Sequence, residues 1–240
     1  STLGPIIHNR HVMDHFAAEG VRELSEPEEA AAGTTVVIRS HGVSRDVYER
    51  LSRRGVEIVD ATCPFVKRIH KLVIRAEAQG RVPVIIGTPT HPEVQAIAGW
   101  CAHPHVFEGP EALENWLRED PSRAHLPLTL VSQTTSTQNL WESCKKIIKK
   151  QCTNSEIFDT ICEATENRQK EAGELARCCD AMVIVGDPMS SNTKRLAMIC
   201  RQFCEDVWLV EDAGGLDVSH FSCIGSVGIT AGASTPAWII

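Results

Sequence analysis

The stretch VIVGDPMSSNTKRL, residues 183–196, passes from β-branched residues through a polar turn into a segment with helical spacing of apolar residues. Two earlier stretches follow the same pattern: VVIRSHGVS begins at Val36 and PVIIGTPTHPEV begins at Pro83. Nearly continuous β-branched runs are typical of parallel strands that are covered on both faces. The repeated order of strand, polar turn and helix therefore predicts an α/β fold with parallel sheets.

A second kind of strand ends in small hydroxyl residues or cysteine. IVDATCP begins at Ile58, LVSQTTST at Leu130 and GITAGAST at Gly228. Because the two kinds of stretch alternate, the chain is predicted to contain about three related β–α modules around a common centre. Ligands of open α/β sheets bind at the carboxyl ends of the strands, so we expect the polar turns to face one site.

Individual elements follow from the same periodicity. The predicted strands are residues 35–38, 56–59, 82–86, 128–131, 181–185, 207–210 and 226–230. The clearest predicted helices are residues 65–79, 140–150, 167–179 and 193–204.

Composition excludes several classes of protein. The formal net charge is −7 and no basic run occurs, which argues against a nucleic-acid partner. No apolar stretch approaches the roughly 20 residues of a membrane span. The first residues, STLGPIIHNR, lack the features of a signal peptide. They also lack an initial Met, so the true start is expected upstream.

The ten cysteines include no CxxC pair, which argues against a zinc ribbon or a thioredoxin motif. Most of them lie within apolar or helical patterns, where a free cysteine acts as a small buried hydrophobe. We therefore expect reduced thiols, a few of which serve as metal ligands.

The polar residues at strand ends have the chemistry of a binding site. They are His8, Asn9, Ser40, His41, Cys63, His91, Glu93, Gln133, Thr134, Thr135, Cys162, Ser190, Ser191, Asn192 and Ser234. Histidines, hydroxyls and an amide can bind a small anion such as a diphosphate. The two thiols at strand ends indicate a soft metal or an iron–sulfur cluster.

Each of these residues also has a purely structural interpretation. The segment 190–192 is a candidate helix N-cap, and Glu93 suits the first turn of a helix. Residues 60–62 and 159–160 are candidate caps or turns, and Gly232 is a candidate tight turn. Taken singly, the structural interpretations are favoured. So many polar strand ends together are hard to explain by capping alone.

The sequence resembles the 4-hydroxy-3-methylbut-2-enyl diphosphate reductase family. The resemblance rests on eight stretches in the family's order across nearly the whole chain. They are GPIIHN (4–9), SHGVS (40–44), DATCPFVKRIH (60–70), GTPTHPEV (87–94), SQTTST (132–137), DTICEATENRQ (159–169), SSNTKRL (190–196) and GITAGASTP (228–236).

The resemblance implies three similar small parallel-sheet modules in a pseudo-threefold arrangement around a central [4Fe–4S] cluster. It predicts Cys63 and Cys162 as cluster ligands, with a third cluster cysteine upstream of Ser1. It predicts Glu93 as the catalytic acid. The substrate-binding residues that it implies are His8, His41, His91, Thr134, Ser190, Ser191, Asn192 and Ser234.

The implied activity is the reductive removal of the substrate's allylic hydroxyl, giving isopentenyl and dimethylallyl diphosphate. Two electrons would come from an external ferredoxin or flavodoxin, since no GxGxxG fingerprint of a nucleotide site follows a strand. The expected location is the cytoplasm, or a plastid if a transit peptide lies upstream. Neither a nucleic acid nor a membrane is an expected partner.

The family pattern also predicts the organisation of the chain. Residues 1–63 are expected to form an incomplete first module that lacks its opening strand and closing segment. Residues 64–158 and 159–240 form the second and third modules. Since one cluster cysteine is absent, the chain is expected to be a fragment of the reductase. The alternatives are a diphosphate-binding homologue without redox activity and a cysteine-rich zinc-binding module.

Overall fold

The computed structural model describes residues 1–240, which form three separate sheets and eight α-helices. Every strand pairing within the sheets is parallel. The predicted α/β fold with three parallel-sheet modules is therefore confirmed. None of the helices has the length and apolar character needed to cross a membrane.

The helices begin where the sequence offers a cap or a proline. Their bounds are α1 (Arg10–Ala18), α2 (Arg45–Arg53), α3 (Pro64–Ala78), α4 (Pro92–Ala98), α5 (Pro110–Glu119), α6 (Gln138–Gln151), α7 (Glu163–Ala176) and α8 (Ser191–Cys200). Ser44 and Thr137 accept backbone hydrogen bonds at the starts of α2 and α6. Three helices, α3, α4 and α5, begin with proline, whose missing N–H would have no partner in the first turn.

The first sheet has the strand order β2-β1-β3-β4. Its strands are β1 (Thr2–Leu3), β2 (Glu23–Leu24), β3 (Thr35–Ile38) and β4 (Glu57–Asp60). Val36 lies opposite Ile58 in the register of β3 with β4. On one face, Val36 and Ile38 pack with Leu24 and with Leu51 of α2, all of them 2% exposed or less. This packing attaches α2 to the sheet.

The second sheet is covered on both faces and has the order β6-β5-β7-β8. Its strands are β5 (Val82–Ile86), β6 (His105–Phe107), β7 (Leu128–Ser132) and β8 (Ser155–Ile157). On one face, Leu130 packs with Trp141 of α6. On the other, Ile85 packs with Ile69 of α3 and Ile97 of α4. Burial on both faces explains why β5 and β7 are continuously apolar.

The third sheet has the order β10-β9-β11, with β9 (Ala181–Val185) in the centre, flanked by β10 (Asp206–Val210) and β11 (Val227–Ala231). Met182 and Ile184 pack with Leu196 of α8 and Ala172 of α7. All five residues of β9 are buried. The helices α7 and α8 therefore form one wall of a small core.

The chain forms two compact units. The large unit comprises residues 1–6 and 17–161 and holds the first and second sheets. The small unit comprises residues 7–16 and 162–240 and holds the third sheet. The module boundaries predicted from the sequence separate the three sheets and do not correspond to the division into these two units. They stay predictions.

All seven predicted strands are present, each with ends within one residue of the prediction. The four predicted helices are also present. The sequence does not indicate β1, β2, β6 and β8, because hydrophobic periodicity cannot be read over two or three residues. These short strands complete the first two sheets.

One ionisable side chain lies in the core beside the second sheet. His70 of α3 is 7% exposed and stacks on Trp100 with 5.5 Å between the ring centroids. Burial lowers the pKa of His70 from 6.5 to about 4, with Asp60 opposing the shift and Lys67 adding to it. The folded protein therefore holds this imidazole neutral over most of the physiological pH range.

We predict that His70 makes the protein less stable as the pH falls from about 6.5 to about 4. In that window the unfolded chain binds a proton that the folded imidazole does not. Between pH 7 and pH 5 the free energy of unfolding should fall about 2 kcal/mol more in the parent protein than in H70F. Urea unfolding at both pH values measures the difference, and equal losses would contradict the prediction.

Candidate active site

The turn between β5 and α4 carries two of the predicted residues, His91 and Glu93. His91 is the N-cap of α4, and its Nδ1 accepts a hydrogen bond from the Glu93 backbone N–H at 3.2 Å. Since Nδ1 acts as an acceptor, the neutral ring carries its proton on Nε2. Glu93 lies in the first turn of α4, as its structural interpretation predicted.

The Glu93 carboxylate is buried, with 3% of the residue exposed. The Thr134 backbone N–H donates to Oε1 at 2.6 Å, and the Thr134 hydroxyl donates to Oε2 at 2.7 Å. Two donors from one residue orient the carboxyl group and compensate its loss of water. The structure thus joins two residues that the sequence placed 41 positions apart.

The side chain of Gln133 stabilises the two turns that carry Glu93 and Thr134. Its side chain is fully buried, and its amide oxygen accepts a hydrogen bond from the Thr88 backbone N–H at 3.1 Å. Its amide nitrogen donates to the Thr135 hydroxyl at 2.9 Å. Gln133 therefore connects the turn after β5 with the turn after β7, a role that its position at a strand end suggested only in general terms.

His41 lies in the turn after β3, and its ring is 5.6 Å from that of His91 between centroids. The interplanar angle is 74°, an edge-on arrangement. The large unit therefore brings together four of the predicted residues: His41, His91, Glu93 and Thr134.

The two predicted cluster cysteines occupy equivalent positions. Cys63 is the N-cap of α3 and Cys162 is the N-cap of α7, and each is a free, partly buried thiol. Neither side chain forms a capping hydrogen bond. Cysteine thiolates are the usual ligands of iron–sulfur clusters. The chemistry of these two thiols fits an iron–sulfur cluster.

Three other thiols suit that role poorly. Burial raises the pKa of Cys101 to about 12 and the pKa values of Cys144 and Cys200 to about 11. Cys144 and Cys200 lie in hydrophobic cores. They behave as the small buried hydrophobes that the sequence predicted.

The small unit holds a cluster of buried polar groups at the start of α8. Ser190 is the N-cap and accepts a hydrogen bond from the Thr193 backbone N–H at 3.4 Å. Asn192 is 4% exposed, and neither atom of its side-chain amide has a hydrogen-bond partner. The Ser234 hydroxyl is also buried without a partner. Buried polar groups are normally paired, so these groups are available to bind a ligand.

Gly232 lies next to this cluster, and the structure gives a different reason for a glycine at this position from the one expected. Gly232 does not have a left-handed backbone, so a tight turn does not require it. A Cβ at this position would overlap the Thr193 hydroxyl. A turn does begin at Gly232, whose carbonyl accepts a hydrogen bond from the Thr235 backbone N–H at 3.0 Å, but the glycine itself is required by close packing of β11 against the start of α8.

His8 and Asn9 lie in the small unit, just before α1. The Asn9 side chain accepts a hydrogen bond from the Val12 backbone N–H at 3.1 Å, so it caps the helix. His8 is half-buried. The structure explains Asn9 by capping, whereas the role of His8 stays a prediction.

Known proteins resemble the chain along its whole length. The family described as LytB protein matches residues 1–240. The 4-hydroxy-3-methylbut-2-enyl diphosphate reductase of Alkaliphilus oremlandii is 41% identical over 241 residues, which cover all of this chain and 84% of that protein. The reductase of Geobacter sulfurreducens is 42% identical over 248 residues, covering all of this chain and 83% of that protein.

Two solved structures are similar. A structure of (E)-4-hydroxy-3-methyl-but-2-enyl diphosphate reductase, described as the terminal enzyme of the non-mevalonate pathway, is 35% identical with a TM-score of 0.69. The match covers 99% of this chain and 84% of that one. The Plasmodium falciparum reductase structure has a TM-score of 0.92 at 24% identity, covering 99% of this chain and 74% of that one, and supports the fold alone.

We predict that N192L leaves the protein as stable as before or stabilises it by about 1 kcal/mol. Leucine has a similar shape and removes two buried polar groups that lack partners. S190A should instead lower the free energy of unfolding by about 1 kcal/mol, because it removes an N-cap. Urea unfolding of both variants provides the comparison. A loss above about 2 kcal/mol in N192L would show that Asn192 is a structural residue.

Proposed function

The chain belongs to the LytB protein family, and from this membership we propose that it reduces 4-hydroxy-3-methylbut-2-enyl diphosphate to isopentenyl and dimethylallyl diphosphate. Two electrons and two protons are consumed, the allylic C–O bond breaks, and the hydroxyl leaves as water. The observation that supports this most directly is the buried Glu93 carboxyl, oriented by Thr134 beside His91. A reaction that expels a hydroxyl needs a held proton source of this kind.

Glu93 is the proposed acid. Protonated, it donates to the leaving hydroxyl, directly or through the Thr134 hydroxyl, which is 2.7 Å from Oε2. The two hydrogen bonds from Thr134 hold the carboxyl group in one orientation.

The histidines of the large unit are proposed to bind the substrate. His91 accepts at Nδ1, so its Nε2–H is directed away from the backbone as a donor. His41 lies edge-on to it. Together they are proposed to donate hydrogen bonds to an oxygen of the substrate.

The small unit is proposed to bind the diphosphate through Ser190, Ser191, Asn192 and Ser234. The Asn192 amide and the Ser234 hydroxyl have buried atoms without partners. Phosphate oxygens would satisfy the donors, and the N-terminus of α8 adds a favourable dipole. His8 of the same unit is proposed as a further substrate-binding residue.

Cys63 and Cys162 are proposed to hold a [4Fe–4S] cluster. When bound, such a cluster supplies electrons singly and Lewis acidity at an iron that lacks a protein ligand. The third cluster cysteine, expected upstream of Ser1, stays a prediction. We further propose a ferredoxin or flavodoxin as the electron donor and the cytoplasm as the location, where the ten free thiols would stay reduced.

The activity is tested with the full-length protein after anaerobic reconstitution with iron and sulfide. Reduced ferredoxin and the hydroxylated diphosphate are added, and the products are quantified by mass spectrometry. We expect both isopentenyl and dimethylallyl diphosphate. Binding of the substrate without any reduction would instead favour the diphosphate-binding homologue, and zinc in place of iron would favour the zinc-binding module.

We predict that C63S and C162S each lose most of the bound iron and acid-labile sulfide. C178S is the matched control, because Cys178 is an exposed thiol that follows α7 and not the carboxyl end of a strand. Its iron content should equal that of the parent. Iron and sulfide analysis, with the visible absorption of the cluster, provides the measurement. Unchanged iron in C63S or C162S would remove that residue from the ligand set.

We predict that E93Q lowers kcat by about 10²- to 10⁴-fold, the usual contribution of a general acid, with little change in KM. T134V, which keeps only the backbone donor, should lower kcat by about tenfold. T134S keeps both donors and should remain near the parent. Steady-state kinetics at saturating donor protein separates the three. Full activity in E93Q would exclude Glu93 as the acid.

A further inference from the structure

The turn that carries His41 contains a glycine with a left-handed backbone. Gly42 has φ = +74°, and its N–H donates to the Arg39 carbonyl at 2.9 Å, which closes the turn. A Cβ at Gly42 would lie 2.8 Å from Cε1 of His70 and 3.0 Å from Cγ2 of Thr62. The turn therefore rests directly on the edge of the His70 ring.

Trp100 holds both the turn and the His70 ring. Its Nε1–H donates to the Val43 carbonyl at 2.8 Å. Its ring stacks on His70 with an interplanar angle of 28° and 5.5 Å between centroids. The Arg45 guanidinium covers the indole, 5.6 Å from its centroid. The Trp100 side chain thus fixes the turn through a hydrogen bond and also packs against the His70 ring on which the turn rests.

The same turn is attached to Cys63. The Cys63 backbone N–H donates to the Ser40 carbonyl at 2.9 Å. His70 lies on α3, the helix that Cys63 caps, about two turns further along. Movement of His70 or Trp100 would therefore shift His41 relative to the Cys63 backbone.

The environment of the His70 ring suits a residue that fills space beneath the turn, and it does not suit a proton donor. Its Nε2 is buried without a hydrogen-bond partner. The ring borders a cavity of about 260 Å³ whose polar lining includes Asp60, Lys67 and Tyr48. Because burial keeps the ring neutral at pH 7, it contributes shape and stacking rather than charge.

We propose that His70 and Trp100 are positioning residues that hold the Ser40–Val43 turn, and with it His41, in a fixed relation to Cys63. The inference rests on the proposed function, in which His41 binds substrate and Cys63 binds the cluster. Neither His70 nor Trp100 touches the substrate-binding groups of α4 through any hydrogen bond in the structure. Trp100 also packs against the core that includes Val94 and Ile97 of α4, so the position of His41 itself is the decisive readout.

Trp100 is tested by W100F and W100L in the full-length, reconstituted protein. W100F keeps an aromatic ring but removes the Nε1–H donor, and we expect kcat to fall about tenfold. W100L removes both contacts, and we expect about a 100-fold loss in kcat with a smaller change in KM, as for a catalytic group misplaced by about 1 Å.

The matched control is W116L. Trp116 also packs on a histidine, His105, at 4.7 Å between centroids, and it lies in the core of the same unit without touching the turn. W116L should lose stability while its kcat stays within about twofold of the parent among folded molecules. An equal loss of kcat in W116L and W100L would overturn the positioning role.

The role of His70 is tested with two variants, one that keeps a flat ring and one that removes it. H70F retains a flat ring and loses both ring nitrogens, of which Nε2 is buried without a partner, so kcat should stay within about threefold of the parent. H70A removes the ring and should lower kcat about 100-fold. If H70F were as inactive as H70A while remaining folded, His70 would have a chemical role and the proposal would be wrong.

A second readout does not depend on activity. The ring signals of His41 in proton–carbon NMR spectra, assigned with H41Q, should shift in W100L and H70A and stay in place in W116L and H70F. Unshifted His41 signals in W100L would overturn the proposal. If the parent protein showed no reductase activity, the proposed function would fail, whereas these spectra would still decide whether the turn is held by Trp100 and His70.

Discussion

The parallel register of β5 with β7, which places Ile86 opposite Ser132, is the constraint on which the active-site region of the large unit depends. Both strands run in the same direction, so the turns that follow them leave the sheet at one edge. The turn after β5 leads to Glu93, and the turn after β7 leads to Thr134. A shift of the register by one residue would separate the carboxylate from both of its donors and expose apolar side chains on the wrong face.

The sequence predicts the longer strands well, and β5, β7 and β9, which are buried on both faces, read as continuous apolar runs. It predicts the short strands poorly. The strand β6, for example, has three residues that are all only partly buried, so no pattern distinguishes them from a loop. The strands β6 and β8 are determined by pairing with β5 and β7, which is a tertiary effect. The same limit applies to β1 and β2, each of two residues.

The candidate site is predictable to the extent that its residues end strands. His91, Glu93 and Thr134 carry that signal, and the structure joins them. Trp100 does not, since it follows a helix in an apolar context, and only the three-dimensional structure shows that its indole N–H donates to the turn of His41. The packing that requires a glycine at position 232 could not be predicted either, because a close approach between two elements has no signature in the local sequence.

Glu93 of the large unit differs from Asn192 and Ser234 of the small unit in how its polar atoms are satisfied, and the proposed chemistry accounts for the difference. In the large unit, the Glu93 carboxylate is already hydrogen-bonded, as suits a group that must keep one orientation while it gains and loses a proton. In the small unit, Asn192 and Ser234 have buried polar atoms without partners. Groups that bind a diphosphate must exchange it in every turnover, so their partner is the ligand itself. Filling those hydrogen bonds from within the chain would stabilise the fold and weaken the site.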